Sequence, residues 1–406
     1  MLMLFKIAWK NIWRNKLRSF IVLMSIFLGI WAGIFISGLS NGMNNQRIDN
    51  FLSTSTSHIQ IHNADYLKDK ELKHKLFQFS DLKAALDKKY DEINYTPRMM
   101  LNGMIASANS AKGVSIVGIN TEMEKSVTII HEKVKEGNYF KEDKKNQLLI
   151  GQKLAEKLKV GVNKKVVVTF QDANKEIIST AFRVVGIYKS ANSRYDEMTV
   201  FVRNQDLNKI LQVEDFYHEV AIYCDDKEIT DTLSSELSGM FPTLKVRSWK
   251  EIAPDLSYAN EVMMQSMLVI MVIIMLALAF GILNAMLMAI LERKRELGML
   301  MAVGMNKTKV FSMIMIETIL LSAISGPLGL LIGYITITWM GTHGLDLSML
   351  SKGLEEYGYS TVVYTDVPTD FYWSTLAIVA VTAILSSIYP AYKALKLNPV
   401  DSIRGL

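Results

Sequence analysis

The sequence predicts a membrane protein with four transmembrane α-helices and a large α+β extracytoplasmic domain inserted between helices 1 and 2. Three observations carry that expectation. Four stretches are long and apolar enough to cross a hydrocarbon core of ~30 Å, which takes about 20 residues of helix. Lys and Arg gather on one side of all four. Residues 41–260, between the first two stretches, instead alternate short β-like runs with helical patches. The 406 residues are 50% apolar and 21% charged, an average over two regimes along one chain.

The first span is assigned to 19–40, around "FIVLMSIFLGIWAGIFISGL", and the second to 261–291, around "MLVIMVIIMLALAFGILNAMLMAIL". The third, 310–340, carries Glu317 and Pro327, and the fourth, 371–390, reads "FYWSTLAIVAVTAILSSIY". Lys6, Lys10, Arg14, Lys16 and Arg18 precede the first span without an acid among them. Arg293, Lys294, Arg295, Lys307 and Lys309 lie between the second and third, and Lys393, Lys396 and Arg404 follow the fourth. The 341–370 loop instead has Lys352 against Asp346, Glu355, Glu356, Asp366 and Asp370. By the positive-inside rule both termini, the 292–309 turn and the 391–406 tail face the cytoplasm, while 41–260 and 341–370 lie outside.

In residues 1–18, Phe5, Trp9, Ile12, Trp13 and Leu17 recur at helical spacing with basic residues between them. That pattern predicts a helix lying in the inner membrane interface. A basic segment followed by an apolar run also fits a signal peptide. No small-x-small cleavage site follows, however, and Trp31 among Phe and Ile fits a retained span.

In the inserted segment, strands are expected at 58–62, 113–119, 164–170, 181–189, 197–202 and 219–224. Helices are expected at 71–90, 151–160 and 204–211, which makes the class α+β. Few breakers follow Pro254, so the second span's helix is expected to start outside the bilayer, as a stalk within 261–291 and the residues before it.

Little catalytic chemistry is written here. A net charge of +5 is no footprint for nucleic acid. The single cysteine, Cys224, permits neither an intrachain disulfide nor a Cys-based metal site, and reads as a buried thiol. His58 and His62 alternate onto one strand face, a spacing open to a metal pair. No third ligand accompanies them, and they read as surface histidines. No nucleophile elbow occurs, and no G-x-x-x-x-G-K-[ST] phosphate loop, so no catalytic residue, metal or cofactor is assigned.

Small residues recur every four positions in the spans: Gly29 and Gly33, then Ala277, Gly281, Ala285 and Ala289, then Gly329 and Gly333. Such faces let helix backbones approach closely, either within the chain or against a similar chain. Glu317 sits about two turns into the third span. An acid at that depth is costly, so it is expected to pair with Arg293 or Arg295, or to take part in coupling. A proton relay would need a second intramembrane acid or histidine, and none is present.

The turn "ILERKRELGMLMAVGMNKTKV" remains. Residues 292–303 read as a short helix, Gly304 as its stop and Asn306 as the cap of the next helix. Physics alone leaves two readings: a basic turn whose side chains snorkel to the interface, or a rigid element through which something pushes.

The segment "ERKRELGMLMAVGMNKTKVFSMIMIET" resembles the signature of the MacB/LolC–LolE (FtsX-like) ABC transporter permeases. Glu292, Arg293, Arg295, Glu296, Gly298, Ala302 and Gly304 match its pattern, and Glu317 matches the acid of the third span. Met301 departs from it, standing where a basic residue is common. The tail "YPAYKALKLNPVDSIRGL" matches through Pro390, Ala391, Ala394, Asn398, Pro399 and Arg404. The start "AWKNIWRNKLRSF" and the one–domain–three order of spans also fit. "SHIQIHNADY" and "WKEIAP" are similar to the lipoprotein-releasing branch.

The resemblance implies a non-catalytic permease subunit in the bacterial inner membrane, with a MacB-like periplasmic core. Its coupling helix, within 292–305, would dock on a separate ATPase that holds ATP and Mg. A second permease chain, identical or paralogous, would complete the unit. The implied work is mechanical release of lipoproteins from the outer leaflet. MacB-like export of a peptide or antibiotic is the alternative, as is an FtsX-like signal relay, whose outer domain is much smaller than 41–260.

Overall fold

The computed structural model describes residues 2–14, 16–89, 93–142, 144–224 and 229–396. The tail motif residues Asn398, Pro399 and Arg404 lie outside the described residues. The chain divides into two compact units. One comprises Met1–Asn44, Asn260–Asp346 and Val362–Leu406, the other Asn45–Ala259 and Leu347–Thr361.

The first unit is helical. An N-terminal helix, Leu2–Arg14, precedes a first long helix, Lys16–Phe51. Three others follow: Pro254–Glu292, Lys307–His343 and Thr369–Leu395. These four long helices are long and apolar enough to cross a membrane, and they bracket the inserted domain as expected. They also outrun the apolar stretches, because nothing in the flanking residues stops a helix. Pro254 opens the second at the first helical position, where a missing N–H costs nothing.

Ile26, Ile30 and Ile34, on the first long helix, are fully buried and share one core with Met271, Met275 and Leu278 of the second. The glycines set how closely the helices approach. A Cβ at Gly29 would meet Leu278 Cδ1 at 2.9 Å, one at Gly329 would meet Ile30 Cβ at 3.1 Å, and one at Gly333 would meet Ile34 Cδ1 at 2.8 Å. Gly33 has room, its Cβ position lying 3.5 Å from Met271. Gly281 differs: nothing lies within 4 Å of its Cβ position. The packing role expected of Gly281 therefore finds no partner among the described residues.

The second unit is built on ten strands: β1 Ile59–Asn63, β2 Asn94–Ala106, β3 Ala111–Ile119, β4 Val134–Gly137, β5 Gln147–Gly151, β6 Lys165–Gln171, β7 Ile177–Tyr188, β8 Thr199–Arg203, β9 Glu219–Tyr223 and β10 Leu244–Ser248. Six close on themselves in the order β2-β3-β8-β5-β7-β6 and back to β2, and β4 flanks β7. The other half of β2 leads into an open sheet, β2-β9-β1-β10. Among the described strands, only the pairs β3–β8 and β5–β7 are parallel.

The long strand β2 thus belongs to both lobes, pairing β9 through Asn94–Arg98 and β6 through Gly103–Ala106. Gly103 permits that second pairing, since a Cβ there would lie 2.4 Å from the Thr169 carbonyl oxygen. Each lobe has its own core, around Phe182, Val184 and Val200 in the closed ring, and around Ile59, Ile61 and Leu237 in the open sheet.

Two expectations are corrected. The helix expected at 71–90 is confined to Phe79–Lys89, because Lys70 and Gln78 adopt left-handed backbone at φ 52° and 63° and break the run before it. His58 and His62 are buried, not on the surface. β1 lies between β9 and β10, and all five of its residues are covered. The two rings do not converge: His58 Nδ1 accepts from the Cys224 amide at 3.3 Å, while His62 Nδ1 lies 3.1 Å from the His218 carbonyl. Among the described residues no group of three His, Cys, Asp or Glu could hold a metal. Part of the 341–370 loop, Leu347–Thr361, belongs to this unit. Lys189 pairs with Glu355 at 3.0 Å, Asn50 donates to Ser360 at 2.8 Å, and Arg47 lies over the Tyr359 ring.

Candidate functional site: the hairpin between the second and third long helices

The second long helix ends at Glu292, and after Arg293 a nine-residue helix, Lys294–Ala302, turns the chain. Its stop is glycine-dependent. Gly304 sits at φ 101°, where an L side chain is strained, although nothing crowds its Cβ position. The Gly304 and Met305 amides close back on the Met301 and Leu300 carbonyls at 3.1 and 2.9 Å. Asn306 then caps the third long helix, accepting from the Thr308 amide at 3.3 Å.

The hairpin helix has two faces. Leu297 and Gly298 are buried, and Leu300 and Met301 pack against the helical core. On the opposite side Arg295, Met299, Ala302 and Val303 are exposed, Val303 at 90%. Their spacing of four, seven and eight residues from Arg295 puts them on one stripe of the helix.

Two charged contacts tie the hairpin to the rest of the unit. Arg293 reaches the Glu317 carboxylate at 3.2 and 3.3 Å and donates to the Asn11 carbonyl at 2.8 Å. Arg14, at the end of the N-terminal helix, pairs with Glu296. Of the two partners expected for Glu317, the pair forms with Arg293; Arg295 points away and is exposed. Glu292 is exposed at the end of the second long helix.

The seven matched residues therefore divide. Arg293, Glu296 and Gly298 hold the hairpin in place, while Glu292, Arg295 and Ala302 are exposed, with Gly304 at the turn. Met299 and Val303 complete the outward face, and sequence reasoning missed both. Their helical spacing from Arg295 was the available signal, masked because Met and Val beside an apolar span read as part of it.

Comparison with known proteins fits this layout. The MacB-like periplasmic core domain matches residues 19–239, more than half of the chain, and the FtsX-like permease C-terminal region matches 268–399, which holds the hairpin. The chain belongs to the MacB/LolC family of ABC transporter permeases. Among curated relatives, an uncharacterized ABC transporter permease of Methanocaldococcus jannaschii is 24% identical over 230 residues, 55% of each chain. This chain thus spans about half the length of that relative. The lipoprotein-releasing system transmembrane protein LolC of Xylella fastidiosa is 22% identical over 303 residues, 71% of this chain and 72% of that one. Among solved structures, the periplasmic region of MacB from Actinobacillus actinomycetemcomitans is 15% identical, with a TM-score of 0.36, covering 52% of this chain and 97% of that one. Permeases of the MacB/LolC family work with an ATPase, and some MacB relatives are named as ATP-binding and permease protein together.

Proposed function

We propose that this permease releases lipoproteins from the outer leaflet of the bacterial inner membrane, driven by ATP hydrolysed on a separate subunit. The observation that carries the reading is the two-faced hairpin, anchored inward through Arg293 and Glu296 and presenting Arg295, Met299, Ala302 and Val303 outward. That outward face is the ATPase contact, on the cytoplasmic side with both termini. A second permease chain, identical or paralogous, completes the unit. Nucleotide-driven movement of the hairpins is passed along helices Lys16–Phe51 and Pro254–Glu292, each of which continues from the helical unit into the domain. The work is mechanical, and no residue of this chain performs chemistry. Similarity to the lipoprotein-releasing protein LolC over 71% of the chain supports lipoprotein as the cargo.

The match of the MacB-like core to residues 19–239 favours a second reading, export of a peptide or antibiotic. One experiment separates them. The chain, its partner permease and its ATPase are reconstituted into proteoliposomes carrying an acylated protein. ATP-dependent release of that protein supports the first reading, and retention of it, with ATP-dependent efflux of an unacylated peptide, supports the second.

A further inference from the structure

A cavity of about 610 Å³ opens in the domain where β2 passes from the closed ring to the open sheet. That volume is in the usual range for small-molecule pockets, roughly 300–1,000 Å³. One wall is apolar, with Met100, Val117 and Phe201. The other is charged, with His62, Arg98, Glu219 and Arg247.

Most of the charged wall is already satisfied. Arg98 is 3% exposed and grips Glu124 with two bonds of 3.1 and 2.6 Å, Glu219 at 2.9 Å and the Ser55 carbonyl at 3.1 Å. Glu219 gives one oxygen to Arg98 and turns the other toward His62, 3.6 Å away. Burial first, and the charge of Arg247 second, push His62 down to about 4, so that ring is neutral near pH 7.

Arg247 is the exception. Its Nε–H is buried and has no hydrogen-bond partner among the described residues, and the same holds for the Thr56 hydroxyl on the cavity wall. A buried guanidinium N–H left open is a costly feature that a bound acceptor removes. Lys70, exposed, adds a second cation to the lining, and the Glu219 carboxylate is already taken. The open positions in this cavity are therefore donors and cations facing an apolar wall.

We propose that the cavity binds a small amphipathic anion, its anionic head on Arg247 and its apolar body against Met100, Val117 and Phe201. The site lies wholly within the domain and is independent of how the hairpin meets the ATPase. Its ligand is a molecule of moderate size with one carboxylate or phosphate. A peptide strand or a folded protein exceeds the volume.

The test uses the full chain in lipid nanodiscs, with para-fluorophenylbutyrate as probe and fluorine NMR as readout. The neutral amide of the probe and empty nanodiscs serve as comparisons. The expected result is saturable binding of the acid, absent from empty nanodiscs, with the amide about tenfold weaker. Arg247→Gln brings the acid down to the affinity of the amide. Val117→Trp, which fills the apolar side, abolishes binding of both while thermal unfolding confirms a folded chain. Equal binding of acid and amide, a preference that survives Arg247→Gln, or no saturable binding overturns the proposal.

Discussion

The Arg293 guanidinium joins three elements at once: it meets the Glu317 carboxylate at 3.2 Å, donates to the Asn11 carbonyl at 2.8 Å, and stands at the start of the hairpin helix. Both charges are nearly buried, at 11% and 4% side-chain exposure. Losing one partner of such a pair strands the other, at a cost of about 3–5 kcal/mol, whereas replacing both with apolar residues is close to neutral. Glu317→Leu alone, or Arg293→Met alone, is therefore expected to lower the unfolding temperature of the purified chain sharply. Arg293→Met with Glu317→Leu should recover most of the loss. A double-mutant cycle by thermal unfolding in detergent checks this, and additive losses would remove the pair from the account.

The hairpin's two faces predict two different failures. Val303→Asp and Met299→Asp change exposed positions, so stability is expected to move by no more than about 0.5 kcal/mol. ATPase turnover should nevertheless lose its response to the permease. Replacing Glu296 and Gly298 together loosens the anchored side, and is expected to uncouple turnover from movement of the outer domain while the chain stays inserted. ATPase rates, with spin-label distances in the domain, distinguish these outcomes.

The span glycines predict a contrast. Gly333→Val places side-chain atoms where Ile34 already lies 2.8 Å from a Cβ, and is expected to destabilise by about 1–3 kcal/mol through overpacking. At Gly281, by contrast, no described residue lies within 4 Å of a Cβ, so Gly281→Val has room there. It should leave unfolding of the monomer unchanged and weaken association with a second permease chain, as measured by single-molecule photobleaching in liposomes.

Acid should destabilise the domain, with a sign that the buried groups fix. Burial is the largest cause pushing His62 and His218 each down to about 4 from 6.5. The unfolded chain then binds more protons between those values, and stability falls as pH drops from 6.5 to 4, by roughly 3 kcal/mol for each ring. Asp196 opposes this. Burial raises it to about 6 from 3.8, so its contribution is complete below 3.8 and is lost as pH rises through 6, roughly 3 kcal/mol in the other direction. Glu219, whose carboxyl burial also raises, opposes the loss as well, so a net loss smaller than that of the two rings together is expected between pH 6.5 and 4. Asp196→Asn should make it steeper. Unfolding temperature against pH over that window is the measurement, and a flat profile would contradict it.

How much the sequence disclosed follows from how local each signal was. The spans and the hairpin were readable because length, charge bias and the Gly304–Asn306 punctuation act within a few residues. Strands with β-branched alternation, such as β6 and β8, were readable for the same reason. β2 was missed although it is the longest strand, because Pro97, Asn102 and Gly103 interrupt its pattern. Gly103 is there to admit β6 from across the ring, a contact that no local window contains. The burial of His58 and His62 likewise depends on β9 and β10, about 160 residues or more along the chain. Arg293 as the partner of Glu317 was one of two choices left open, and only the packing of the N-terminal helix, through Asn11, singles it out.

The outward face of the hairpin is expected to touch an ATPase. Cys224, the single cysteine, is buried, so Val303→Cys provides one reactive thiol on that face. Thiol crosslinking from position 303 in native membranes, followed by mass spectrometry, tests the claim most directly. A crosslinked product containing an ABC ATPase is expected, with no labelling of the thiol by a membrane-impermeant reagent added outside intact cells. Labelling from outside, or a crosslinking pattern without an ATPase when one is co-expressed, would contradict it.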